Sequence, residues 1–128
     1  MMVLKDQDVV PFRNQVKEYA ERIKMGLVNQ TKLITAASEM VRNMLKYGNG
    51  GLTIIEIVSR GAQNGVRVTF KDEGPGIADI PQAMQDGFST GKSLGLGLPG
   101  TKRLVNEFEI KSTPGVGTTI TIIKWANG

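Results

Sequence analysis

Apolar residues recur along the chain with two periods, one helical and one alternating, and the two periods divide it into elements. Pro11 opens a predicted helix over residues 11–26, with Val16, Tyr19, Ala20 and Ile23 on one side and Gly26 just past its end. A second helix runs from about residue 30 to Tyr47, with Asn29 as its cap and Gly48 as its terminator. Its stripe is Leu33, Ala37, Met40, Val41 and Met44. Two strand-like runs follow, residues 52–59 and 66–71, with Asn64-Gly65 suited to the turn between them. The first is apolar on both faces apart from Glu56, as in a central strand. The second alternates, Val66, Val68 and Phe70 against Arg67, Thr69 and Lys71.

A stretch rich in Gly and Pro runs from Gly74 to Gly100, with one helical turn expected around residues 80–85. Pro99 opens a short helix through Val105. Two last strands, 108–112 and 118–125, are joined by Thr113-Pro114-Gly115-Val116-Gly117. The predicted fold is α+β: a two-layer sandwich with helices on one face of a mixed, mostly antiparallel sheet.

Composition then narrows the chemistry. The 128 residues make one domain, 1–128, with neither repeat nor linker. The absence of Cys and His removes thiolate nucleophiles, zinc-thiolate sites, Ser-His-Asp triads and phospho-histidine relays. A net charge of +4 favours an acidic partner only weakly. With 5% aromatic residues there is no base-stacking surface, so nucleic acid is not an expected partner. No apolar run spans a membrane and no leader pattern opens the chain, which makes the cytoplasm the expected location. Glycine is the outlier at 16 residues, many of them between Gly74 and Gly100.

Two familiar motifs fail in that stretch. Gly95-Leu96-Gly97-Leu98-Pro99-Gly100 fits the dinucleotide fingerprint, but no strand leads into it and Ile120 stands where an acid belongs. Gly91-Lys92-Ser93 looks like the end of a P-loop, but Asp86 occupies the position of its first glycine. The physics of the loop survives both failures. Glycines at 91, 95, 97 and 100 let backbone N–H groups turn toward a ligand, and a helix N-terminus follows at Pro99.

Three other residues carry chemistry. Alternation puts Asp72 on the face of Val66, Val68 and Phe70. There it either accepts the exocyclic amine of an adenine or caps the following turn. Glu39 and Asn43 share a helix side at i, i+4. That side is either solvated, or it orients an incoming hydroxyl and offers a hard oxygen to Mg²⁺.

Together these residues resemble the GHKL ATPase and kinase superfamily of histidine kinases, gyrase, the heat-shock chaperone and bacterial anti-sigma factors. The matching boxes are Glu39-Met40-Val41-Arg42-Asn43, Asp72-Glu73-Gly74-Pro75-Gly76-Ile77, Gly95 to Gly100, and Gly115-Val116-Gly117-Thr118-Thr119. Within it, Ala37-Ser38-Glu39, residues 82–91, Phe108-Glu109-Ile110 and Ile123-Lys124-Trp125 resemble the serine/threonine switch kinases of the bacterial stressosome. Glu73 and Lys92-Ser93 depart from the family's usual glutamine and glycines.

The resemblance implies ATP and Mg²⁺ as cofactors and assigns roles. Glu39 is the expected base, Asn43 the Mg²⁺ ligand and Asp72 the adenine anchor, with Gly74 and Gly76 admitting the ring beside Ile77. Gly91, Gly95, Leu96 and Gly97 would wrap the phosphates, and Thr118 would support the base pocket. To these we add Lys92 as a cation near the γ-phosphate. The implied activity is phosphorylation of Ser or Thr on STAS-domain antagonist or scaffold proteins, followed by activation of an RsbU-type serine phosphatase. The alternatives are an anti-sigma kinase that sequesters a sigma factor, and a non-catalytic module gated by nucleotide. Self-association into a homodimer is a further expectation.

Overall fold

The computed structural model describes residues 1–74 and 97–127. A 3-10 turn at Asp6–Asp8 leads into α1, Val9–Arg22. The Asp8 carboxylate accepts the N–H groups of Leu4 and Lys5 at 2.9 and 3.2 Å, which fixes the entry of the chain. The helix therefore starts ahead of Pro11. Proline is tolerated there because first-turn N–H groups have no partner inside the helix. Phe12, Val16 and Ala20 form its buried side.

The second helix, α2, spans Leu27–Gly48. Asn29 is not its cap: an extended Gly26 precedes Leu27, and the Asn29 amide donates to the carbonyl of Ala126 at 3.1 Å. Gly48 is the last helical residue, not the terminator. Asn49 ends the helix in the left-handed region at φ 60° and ψ 30°, and the Gly50 N–H donates to Met44 at 3.0 Å. Leu33, Ala36, Ala37, Met40, Val41 and Met44 are buried, the predicted stripe with one addition.

Among the described residues five strands make the sheet: β1 (Met2–Val3), β2 (Gly51–Arg60), β3 (Gln63–Asp72), β4 (Glu107–Thr113) and β5 (Gly117–Trp125). Their order is β1-β2-β3-β5-β4, and all four pairings between described strands are antiparallel. The turn between β2 and β3 is Gly61-Ala62 rather than Asn64-Gly65, since Arg60 pairs with Gln63. Gly61 takes φ +60°, as a two-residue turn with glycine first requires. Asn64 and Gly65 lie inside β3, where Gly65 leaves room for the Trp125 ring.

The central position expected for β2 holds only at one end. Beyond the pairs Met2↔Leu52 and Val3↔Gly51 its outer edge meets no described strand, and Ile54 and Ile57 are 41% and 43% exposed. The helices cover the other side of the sheet. Val66, Val68, Phe70, Ile120 and Ile122 are buried there, and the rings of Phe12 and Phe70 meet edge to face at 5.8 Å. Helix α3, Gly97–Leu104, packs against α2. It too begins ahead of its proline, with Gly97 at φ 67°. The predicted turn at residues 80–85 lies outside the described residues. No helix among the described residues is long and apolar enough to cross a membrane.

Candidate functional site

Strand alternation brings Asp72 to the helix-covered face at the end of β3, and sheet register gives it neighbours. Asp72 pairs with Thr118, which pairs with Ser112, so three polar residues form a row across β3, β5 and β4. Asp72 Oδ1 accepts the N–H of Gly74 at 2.9 Å and the N–H of Thr118 at 3.3 Å. The Ser112 and Thr118 hydroxyls lie 2.8 Å apart, and Ser112 also donates to the Gly117 carbonyl at 3.2 Å. The two readings of Asp72 are thus compatible. Its Oδ1 caps the turn, while among the described residues nothing hydrogen-bonds Oδ2.

That second oxygen lies against the end of α2. A Cβ on Gly48 would fall 2.5 Å from Asp72 Cγ and 2.7 Å from Oδ2, and a Cβ on Gly74 would fall 2.6 Å from the Gly48 Cα. Helix end, strand end and following turn meet at van der Waals distance only because both residues are glycine. The result is a close, polar junction in which Oδ2 keeps acceptor capacity among the described residues.

From Gly48, α2 leads back through Asn43 to Glu39. At 1.5 Å per residue the distance from Gly48 to Glu39 is about 13 Å, the scale of an extended nucleoside triphosphate. The Glu39 side chain is only 14% exposed, which sets aside a solvated face for it. Its cation is Arg42, 57% exposed, with Nη1 3.5 Å from Glu39 Oε1. Asn43 is half-buried one turn from Glu39. Its amide carbonyl is a hard oxygen of the kind Mg²⁺ accepts beside substrate phosphates. Among the described residues no group of three or more Asp, Glu, His or Cys could hold a metal.

The sheet's other face carries a separate pair, Glu56 and Arg67, bridged twice at 3.0 Å. The hydrogen bond from Arg67 holds the Glu56 carboxyl below its usual range. Burial, with the charge of Lys32 adding, lowers the Lys124 ammonium.

Of the predicted site residues, the structure joins Gly74 and Thr118 to Asp72 by hydrogen bonds and aligns Glu39 and Asn43 on α2. Gly97 opens α3. Gly76, Ile77, Gly91, Lys92, Gly95 and Leu96 lie outside the described residues. The sequence reading missed Ser112 and Gly48. Ser112 had a signal: a turn at Thr113–Gly117 sets it opposite Thr118. Gly48 had none, because its neighbour is Asp72 of a different element.

Residues 28–127 match the family model described as histidine kinase-, DNA gyrase B-, and HSP90-like ATPase. The chain is 42% identical to the serine/threonine-protein kinase RsbT of Bacillus subtilis (strain 168) over 123 residues, 96% of this chain and 92% of that one. It is 32% identical to the anti-sigma F factor of Thermoanaerobacter sp. (strain X514) over 117 residues, 88% of this chain and 82% of the other. With the anti-sigma F factor of Geobacillus sp. (strain WCH70) it shares 33% identity over 121 residues, covering 88% and 81%.

Proposed function

Because the chain belongs to the histidine kinase-, DNA gyrase B- and HSP90-like ATPases, we propose that it is an ATP-dependent protein serine/threonine kinase of the partner-switching kind. The observation that carries this reading is the line from Asp72 and Gly48 to the mostly buried Glu39. The two ends lie about a triphosphate's length apart along α2, which supports reading Asp72 as the adenine acceptor and Glu39 as the base.

In this mechanism Asp72 Oδ2 accepts the amine of adenine, and Thr118 fixes that carboxylate and lines the base pocket. Asn43 would hold Mg²⁺ through its carbonyl, and the ion would supply charge neutralisation to the phosphates. Glu39 takes the proton of a Ser or Thr hydroxyl as its oxygen bonds the γ-phosphorus. The bond from that phosphorus to the β,γ-bridging oxygen breaks, and ADP leaves with the electron pair. Lys92, with the amides of Gly91, Gly95 and Gly97, completes the phosphate end, and Gly76, Ile77 and Leu96 border the nucleotide.

The hydroxyl belongs to a STAS-domain antagonist or scaffold protein in the cytoplasm. A dianionic phosphate placed in that interface releases the kinase, which then activates an RsbU-type serine phosphatase. Transfer of label from γ-labelled Mg-ATP to STAS-domain proteins tests the reading. Parent protein should phosphorylate one of them, and Glu39→Gln should not, while still binding ATP. A parent that binds ATP and labels none would instead mark a nucleotide-gated binding module. The similarity to anti-sigma F factors supports a second reading, an anti-sigma kinase that sequesters a sigma factor. Nucleotide-dependent co-elution with a sigma factor would establish it.

A further inference from the structure

We infer that Arg42 is shared between Glu39 and the γ-phosphate, and that it makes the site prefer a nucleoside triphosphate over a diphosphate. This rests on the nucleotide reading above and goes beyond it, to a residue that reading leaves without a role.

The argument begins with charge. Glu39 is mostly buried and needs a compensating cation, and Arg42 Nη1 is 3.5 Å from it. At that distance the contact is an ion pair without a hydrogen bond, and the guanidinium is 57% exposed. A long, mobile side chain held this loosely can turn to a stronger partner, and a terminal phosphate offers paired oxygens that match the guanidinium fork. Position supplies the second argument. The backbone of Arg42 lies between Glu39 and Gly48 on α2, but its guanidinium reaches the Glu39 carboxylate, the end of the line farther from Gly48 and Asp72. ATP reaches that end with its γ-phosphate, and ADP falls short of it.

The consequence is an exchange of partners. Before nucleotide arrives, Arg42 neutralises Glu39. When a γ-phosphate is present, Arg42 pairs with it, and the Glu39 carboxylate is freed to accept a hydroxyl proton. The two anions compete for one cation, so removing the carboxylate should strengthen ATP binding and leave ADP binding unchanged.

Calorimetric titration with Mg-ATP and Mg-ADP tests this on the intact protein, with melting curves of each variant as the control for folding. Arg42→Ala should bind Mg-ATP at least about tenfold more weakly and Mg-ADP within about twofold of the parent. Arg42→Lys should recover part of the loss. Glu39→Gln should bind Mg-ATP a few-fold more tightly, and that gain should vanish in the double variant Glu39→Gln/Arg42→Ala. Equal losses for both nucleotides, or no loss for either, would overturn the inference and leave Arg42 as a surface ion pair. A folded parent that binds neither nucleotide would overturn the nucleotide site itself, and this inference with it.

Discussion

At the Asp72 end of the site, polar atoms are already paired with one another. Two backbone N–H groups hold Oδ1, two hydroxyls meet at 2.8 Å, and two glycines let helix and sheet touch. At the Glu39 end the one polar side-chain contact among the described residues is a 3.5 Å ion pair to a side chain that stands mostly in solvent. Rigid strands supply the first end, and a single helix face supplies the second. On the proposed reading the contrast is a division of labour: the base-binding end is held by hydrogen bonds within the fold, whereas among the described residues the phosphate end has only a loose ion pair. Such an order suits a switch, because the nucleotide can be held while reactive groups are still apart.

The largest effect should come from the loose end. Glu39→Gln should lower phosphotransfer by about 10²–10⁴-fold, the usual contribution of a general base, with no loss of ATP affinity. Single-turnover transfer and calorimetry on the same protein would separate the two quantities. Equal loss of both would erase the contrast between the ends.

Gly48→Ala attacks the built end. Its methyl would lie 2.5 Å from Asp72 Cγ, so the carboxylate must leave the N–H groups that hold it. Nucleotide affinity should fall about tenfold or more, for ADP and ATP alike. Equilibrium binding of both nucleotides would check it. A smaller effect is expected one residue further along the row. Ser112→Ala removes the partner of the Thr118 hydroxyl and should cost about 1 kcal/mol of binding, roughly fivefold, again without regard to the γ-phosphate.

The smallest change touches neither end. Thr101 in α3 is fully buried, and its hydroxyl has no partner among the described residues. Thr101→Val keeps the shape and removes the unpaired group. It should raise stability by about 1 kcal/mol, a shift of about 3–5 °C in melting temperature, with nucleotide affinity unchanged. If affinity moves as well, α3 belongs to the site more intimately than the contrast allows.

Much of this was legible in the chain because it depends on local periods. Alternation from Val66 carried Asp72 to the helix side of β3, and i, i+4 spacing put Glu39 and Asn43 together on α2. What escaped depends on distant partners. Asn29 has the chemistry of a cap but spends its amide on Ala126, 97 residues away. Asn64-Gly65 has the chemistry of a turn, yet Gly65 is small because Trp125 lies across it. A two-residue strand such as β1 shows no alternation to read, although Val3 is fully buried. The apolar faces of β2 suggested a centre, but β1 covers one end of it only. Gly48 resembles any helix terminator until Asp72 is placed beside it.

Thermal unfolding of the parent and of Asp72→Ala, each with and without Mg-ATP, tests the central claim most directly. At about a hundred times its dissociation constant, nucleotide should stabilise the parent by about 2.7 kcal/mol, a rise of several degrees, and leave Asp72→Ala where it was. An equal rise in both proteins would contradict the account, because the nucleotide would then bind without the carboxylate proposed to hold the adenine.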